Sequence, residues 1–195
     1  MEVVKCSEER KIRIAKGEIF MKMGENPTYE ECVRTPDRHF KNIIVDVASS
    51  LIAQWAFTGT IASVPDHIKG IMVLAVGTGD PSWDLQNPPS ETAAQTLLEN
   101  ELIRKTFSDK TYVDGSGFPT LTRTNVIDFS TTFLEAEAVG PLVEMGLFGG
   151  NGPELTPSVP DSTATDGGTM INYKTFAVIN KPSTSKLIFV WRLTF

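Results

Sequence analysis

The sequence predicts a mainly β protein, an antiparallel β-sandwich-like domain (α+β) with one or two embedded helices and an N-terminal β-hairpin arm. Three observations predict this class. Short apolar segments alternate with polar residues along much of the chain, and the 15 glycines and 12 prolines gather in the loops between them. The apolar run at residues 71–76 has the length of one buried strand.

Composition restricts the functions that the chain can have. Its 195 residues are enough for one domain with a hydrophobic core. A formal charge of -6 disfavours binding to nucleic acid. No apolar run approaches the roughly 18 residues that a membrane helix needs, and the charged N-terminus lacks the order of a secretory signal. We therefore expect synthesis in the cytoplasm, with Cys6 and Cys32 as reduced thiols.

Residues 1–39 are predicted to form an N-terminal arm. Residues 11–15 and 18–23 alternate in polarity, and Lys16-Gly17 between them is predicted to be the turn of a hairpin. Four apolar residues of this hairpin are candidate interface residues: Ile12, Ile14, Ile19 and Met21. An isolated hairpin is marginally stable, so the arm should pack on its own domain or on a neighbouring subunit. We expect a chain without residues 1–30 to fold but to assemble weakly.

Residues 40–195 are predicted to form the β-sandwich-like domain, with two helices near its start. Thr35-Pro36-Asp37 has the features of a helix start, and apolar residues at helical spacing predict a helix over about 40–56. Ser90 is predicted to cap a second helix that reaches Arg104. On that helix Glu101 and Arg104 would share a face, and this pair is also a candidate interface contact.

The other elements are predicted to be strands. Residues 71–76 should form a strand that ends at Gly77-Thr78-Gly79, and a Gly/Pro/Ser/Thr-rich loop is expected near 149–168. Six further strands are predicted at residues 109–114, 120–130, 131–138, 142–148, 169–180 and 186–195.

The search for chemistry predicts no catalytic, metal or cofactor residues. Gly77-Thr78-Gly79 lacks the third glycine and the following helix of a dinucleotide loop, so it is interpreted as a turn. Scattered acids such as Asp128, Glu135 and Glu137 could form a paired-carboxylate site, but we expect them to face solvent. Trp83, between Asp80 and Asp84, is a candidate contact residue because its loop is polar.

The order of several short motifs carries a resemblance. In the first half these are Asn42-Ile43-Ile44-Val45 before Leu51-Ile52-Ala53, then Leu74-Ala75-Val76-Gly77-Thr78-Gly79, then Leu98-Glu99-Asn100-Glu101-Leu102-Ile103-Arg104-Lys105. In the second half they are Thr124-Asn125-Val126-Ile127-Asp128-Phe129, Thr132-Phe133, Glu135-Ala136, Glu144-Met145-Gly146-Leu147-Phe148, Gly167-Gly168-Thr169-Met170 and Trp191-Arg192-Leu193-Thr194-Phe195. This succession resembles a family of small tailed-bacteriophage virion proteins.

The resemblance implies a β-rich structural module of the tail, neck, baseplate or fibre, without catalytic residues or a cofactor. We therefore expect a non-enzymatic virion component that assembles as a homo-oligomer through its N-terminal arm and sheet edges. Its expected partners are copies of itself and other phage structural proteins, and neither nucleic acid nor membrane. The alternative is a receptor- or carbohydrate-binding β-sandwich module of a tail fibre, in which Trp83 or Tyr112 stacks on a sugar ring.

Overall fold

The computed structural model of the chain describes residues 16–41, 43–44, 69–150 and 168–195. Within these ranges it has one short helix and eleven strands. In chain order they are β1 Lys16–Gly24, α1 Tyr29–Arg34, β2 Arg38–Lys41, β3 Ile43–Ile44, β4 Lys69–Gly77, β5 Glu101–Thr106, β6 Asp109–Val113, β7 Pro119–Thr120, β8 Val126–Phe133, β9 Gly140–Gly150, β10 Thr169–Lys181 and β11 Lys186–Thr194. None of the helices in this part of the chain is long and apolar enough to cross a bilayer.

The strands form two antiparallel sheets that pack together. Sheet A has the order β2-β1-β11-β8-β6-β7, and sheet B has the order β3-β10-β9-β4-β5. This arrangement confirms the predicted mainly β, sandwich-like class. Strand β4 is buried along residues 73–77, as its continuous apolar run predicts for a strand covered on both faces.

The core is built from side chains of both sheets. Trp191 on β11 is fully buried and lies directly between Ile19 of β1 and Phe129 of β8 in the strand register. Fully buried core residues of sheet B include Leu74, Met145 and Leu147. Burial of each such side chain contributes about 1.5–3 kcal/mol relative to exposure, so these layers supply much of the driving force for folding.

The N-terminal hairpin is not formed in the way that the sequence predicts. Lys16 and Gly17 are not a turn, because they lie in β1 and pair with Thr194 and Leu193 of β11. The polarity alternation of 18–23 is that of a strand, but its partners are the distant β11 and the adjacent β2. Residues 16–24 are thus an inner strand of sheet A. Ile12 and Ile14 lie outside the described residues.

The first predicted helix is also placed wrongly. The helix α1 precedes Thr35 and begins at a capping box, in which Thr28 Oγ1 accepts from Glu31 N at 3.2 Å and Thr28 N donates to Glu31 Oε2 at 3.0 Å. Thr35 ends this helix, since its N–H donates to Glu31 O at 2.8 Å. Within the predicted helix 40–56, Ile43–Ile44 is a strand, and residues 45–56 lie outside the described ranges.

The second predicted helix is a turn-rich segment followed by β5. Residues 91–100 form no helix, and β5 pairs with β4, where Ile103 lies opposite Val76 and Lys105 opposite Leu74. Pairing with a buried strand outweighs the helical spacing of the leucines before it, because tertiary packing commonly overrides local propensity.

Five of the remaining strand predictions are confirmed with shifted bounds. Strands β4, β6, β9, β10 and β11 lie where the apolar segments predict them. The two strands predicted at 120–130 and 131–138 are instead the single strand β8, which ends in a turn closed by Glu137 N donating to Leu134 O at 3.0 Å.

Candidate functional site

The segment 78–100 is fastened to sheet B by one buried carboxylate, that of Glu144 on β9. Its Oε1 accepts from Gly79 N at 3.1 Å and Asn100 N at 2.8 Å. Its Oε2 accepts from Glu99 N at 3.0 Å and from the Tyr173 hydroxyl at 2.9 Å. Burial raises the pKa of Glu144, an effect that these donors oppose, and it raises the pKa of Tyr173. Glu144 thus fixes both ends of the segment.

Gly79 brings Trp83 onto the sheet. Its φ of +68° favours glycine, and a Cβ at this position would lie 2.6 Å from Trp83 Cε3 and 2.7 Å from Val143 Cγ2. The indole ring therefore packs directly over a glycine backbone. The Gly77-Thr78-Gly79 motif is a structural turn, as predicted, and it positions the one candidate contact residue that the sequence picked out in a loop.

A cleft of about 250 Å³ lies beside this ring; we call it the Trp83 cleft. Its lining includes Trp83, Ser90, Thr92, Gln95, Glu99 and Tyr173. Two contacts of Glu91 hold the neighbouring wall to β10: Lys174 Nζ lies 2.7 Å from its Oε1, and the Thr175 hydroxyl 3.2 Å from its Oε2. Gln95 Nε2 donates to Leu97 O at 2.7 Å and to Glu99 Oε1 at 3.0 Å, which orders the opposite wall.

A second concave surface, the α1 groove, lies between α1 and the turn after β6. It encloses about 260 Å³ and is lined by Tyr29, Glu30, Val33, Arg34, Phe118 and Pro119. Asp114 Oδ1 accepts from Ser116 N and Phe118 N at 2.9 Å each, which closes the turn after β6 and orders the backbone at Phe118. Phe118 is 46% exposed, and Leu121 is fully exposed.

The floor beneath α1 is a buried polar network. The Tyr29 hydroxyl donates to Asp128 Oδ2 at 2.6 Å, and Arg192 donates to both carboxylate oxygens at 2.7 and 2.8 Å. Burial and the carboxylate raise the pKa of Tyr29, and hydrogen bonding to Asp128 raises that of Arg192. Asp128 is completely buried, so the expectation that it faces solvent is wrong. It is paired because β8 and β11 place Asp128 and Arg192 opposite each other.

The structure separates the predicted interface residues. Ile19 and Met21 are buried in the core, because β1 is an inner strand. Glu101 and Arg104 form a buried ion pair, with Arg104 Nη2 2.7 Å from Glu101 Oε2 and the guanidinium over the Phe148 ring at 4.8 Å. Only Trp83 among the described candidates is partly exposed.

The sequence does not predict the α1 groove, because its two walls are distant in the chain. The available signal was the pair Phe118 and Leu121, which flank Pro119-Thr120 in an otherwise polar stretch. Leu121 falls within the strand predicted at residues 120–130, and Phe118 lies just before it. Cys32 of α1 is a buried free thiol, as expected, and burial raises its pKa to about 12.

No group of three or more His, Cys, Asp or Glu side chains that could hold a metal occurs in the described part of the chain. No protein-family model matches the chain, and no curated protein sequence matches it.

Proposed function

We propose that this chain is a non-enzymatic structural component of a tailed-bacteriophage particle that assembles as a homo-oligomer in the tail, baseplate or neck region. The motif order described above supports the phage assignment. The observation that carries the assembly is the exposure of two apolar side chains, Phe118 in the wall of the α1 groove and Leu121 just after β7. This surface takes the role that the sequence analysis gave to Ile19 and Met21.

The apolar side chains at this surface favour a protein partner. Phe118 is 46% exposed and lines one wall of the groove, and Leu121, which directly follows β7, is fully exposed. Burial of a leucine side chain contributes about 1.5–3 kcal/mol, and contiguous exposed apolar groups commonly mark contact surfaces. A second copy that buries Leu121 gains this free energy without any rearrangement of the sandwich.

The charges at the rim of the groove favour a second copy as that partner. Glu30 and Arg34 on α1 form an exposed ion pair at 3.0 Å. A two-fold axis beside α1 makes the contact isologous, so Glu30 of one copy meets Arg34 of the other and the reverse. The apolar pair and the charge pair are therefore both self-complementary.

Sheet edges supply further contacts for assembly. Within the described ranges β5 pairs only with β4, and β2 pairs only with β1. Unpaired strand edges offer backbone donors and acceptors to another chain. Residues 1–15, the part of the predicted arm that precedes β1, lie outside the described residues.

Sedimentation velocity tests the assembly. We expect the wild-type chain to sediment as a species larger than the 21.4 kDa protomer. Leu121→Asp should weaken association by at least about tenfold, because the interface then buries an unpaired carboxylate. Leu134→Asp is the matched control, since Leu134 is a 47% exposed leucine after the end of β8 that is distant from β7 in the register, and it should associate as the wild type does.

Charge reversal tests the proposed symmetry. Glu30→Arg and Arg34→Glu should each weaken association, because each places like charges opposite across the axis. The double variant should restore it. A wild-type monomer at every concentration, or a Leu121→Asp variant that associates normally, contradicts the assembly through this groove.

A further inference from the structure

The Trp83 cleft combines an aromatic ring with open polar groups in a space for a small ligand. We infer that it binds a single neutral sugar ring, such as the terminal residue of a glycan. This activity goes beyond the proposed structural role, and it uses none of the residues of the α1 groove.

The size of the cleft limits the ligand. Pockets for drug-sized molecules enclose roughly 300–1,000 Å³, whereas this cleft encloses about 250 Å³. It therefore suits one six-membered ring rather than a peptide of several residues or a nucleotide. The rest of an oligosaccharide would remain in solvent.

The chemistry of the lining suits a ring with an apolar face and a hydroxyl edge. Trp83 offers a large aromatic surface on which the C–H groups of a pyranose can stack. The hydroxyls of Ser90 and Thr92 can each donate and accept, and neither bonds to a residue that the structure describes. Glu99 Oε1 accepts a hydrogen bond from Gln95 Nε2, and the other carboxylate oxygen can accept from a ligand hydroxyl.

The charge of the cleft disfavours an anionic ligand. Glu99 is the one carboxylate in the lining, and an anionic sugar would place its own charge beside it. The nearby Glu91 and Lys174 lie 2.7 Å apart and neutralise each other, so this pair adds no net charge beside the cleft. Asp80 and Asp84 flank Trp83 but accept hydrogen bonds from Ser82 N and Gln86 N within their own turns.

The site is held in place before any ligand arrives. Glu144 fixes Gly79 and Glu99 at the two ends of the segment, and Tyr173 joins the same carboxylate from β10. Thr175 donates to Pro89 O at 2.8 Å, which anchors the segment near Ser90. Such preorganisation lowers the entropic cost of binding.

Ligand-observed NMR titration of the full chain tests the inference. The probes are methyl α-glucoside, methyl β-galactoside and N-acetylglucosamine as neutral rings, with glucuronic acid and choline as charged competitors. We expect at least one neutral ring to bind with a dissociation constant on the order of millimolar. Glucuronic acid should bind at least about tenfold more weakly, and choline should not bind more tightly than the best neutral ring.

Variants locate the binding. Trp83→Ala should weaken it by at least about tenfold, while Trp83→Phe keeps an aromatic ring over Gly79 and should retain most of it. Glu99→Ala leaves the backbone bond to Glu144 in place and should reduce the discrimination against glucuronic acid. Phe118→Ala is the matched control outside the cleft, and it should leave sugar binding unchanged.

Three outcomes overturn the inference: no neutral ring binds, Trp83→Ala and Glu99→Ala both leave binding unchanged, or a charged probe binds more tightly than every neutral ring. None of these outcomes depends on how the Leu121→Asp variant sediments. The sugar-binding inference and the assembly proposal can therefore fail separately.

Discussion

Among single residues, Glu144 has the largest structural consequence for the candidate site. One side chain on β9 accepts from three backbone N–H groups and one hydroxyl. Along the chain, these donors are separated from Glu144 by 65, 45, 44 and 29 positions. The Trp83 cleft therefore depends on a carboxylate that lines none of it.

The substitution Glu144→Gln tests this dependence. The amide nitrogen of glutamine cannot accept, so some of the four donors lose their partner inside the protein. We expect the free energy of unfolding, measured with urea, to fall by about 1–3 kcal/mol. Proteolysis within segment 78–100 should become faster than cleavage elsewhere.

Glu25→Gln is the control for Glu144→Gln, because it makes the same chemical change at an exposed residue that lines neither the α1 groove nor the Trp83 cleft. Its effect should be no more than about 0.5 kcal/mol. Equal stability of the two variants would show that Glu144 does not fasten the segment.

Buried charges show where residue-level prediction from the sequence stops. Asp128 and Arg192 are 64 residues apart, and only the register of β8 against β11 makes them neighbours. Lys181 is buried because Nζ donates to Leu134 O at 2.8 Å and Glu135 O at 3.0 Å, and burial lowers its pKa. From the sequence alone, such charged residues are expected to face solvent. Their buried partners become apparent only when the pairing of the strands is known.

At the scale of elements, prediction succeeds where one residue class decides the structure. The apolar run of β4 can only be a buried element, and its six residues are too few for a helix across the core. It fails for β5, where Leu98 and Leu102 have helical spacing but Leu98 packs over Gly146 and β5 pairs with β4. That outcome depends on a neighbour that is distant in the chain.

The position of strand β1 in the sheet leads to a testable prediction about folding. Ile19 lies opposite Trp191 and Met21 opposite Phe189, so β1 covers the edge of β11 and fills the core. Truncation of one such side chain to alanine costs about 2–5 kcal/mol, and loss of the whole strand removes both. We therefore expect a chain without residues 1–30 to lose cooperative urea unfolding.

A chain without residues 1–15 is the control, because it keeps every described element. It should unfold cooperatively. The expectation from the sequence, that a chain without residues 1–30 still folds, would be correct instead if that chain unfolded as sharply as the wild type.

At the scale of the whole molecule, the two surfaces belong to different sheets. The α1 groove lies at α1 and the turn between β6 and β7 of sheet A, whereas the Trp83 cleft lies on the segment that covers β9 and β10 of sheet B. They share no lining residue. A protomer can therefore be joined to its neighbours through one surface and bind a sugar through the other.

The proposed function makes this chain a structural part of a tailed-bacteriophage particle. Immunogold electron microscopy of purified virions from the source phage, with an antibody against this protein, tests it most directly. We expect gold label at a defined station of the particle, at the tail, baseplate or neck, repeated from one virion to the next. Intact particles that carry no label, although the antibody detects the protein in infected cells, would contradict the claim.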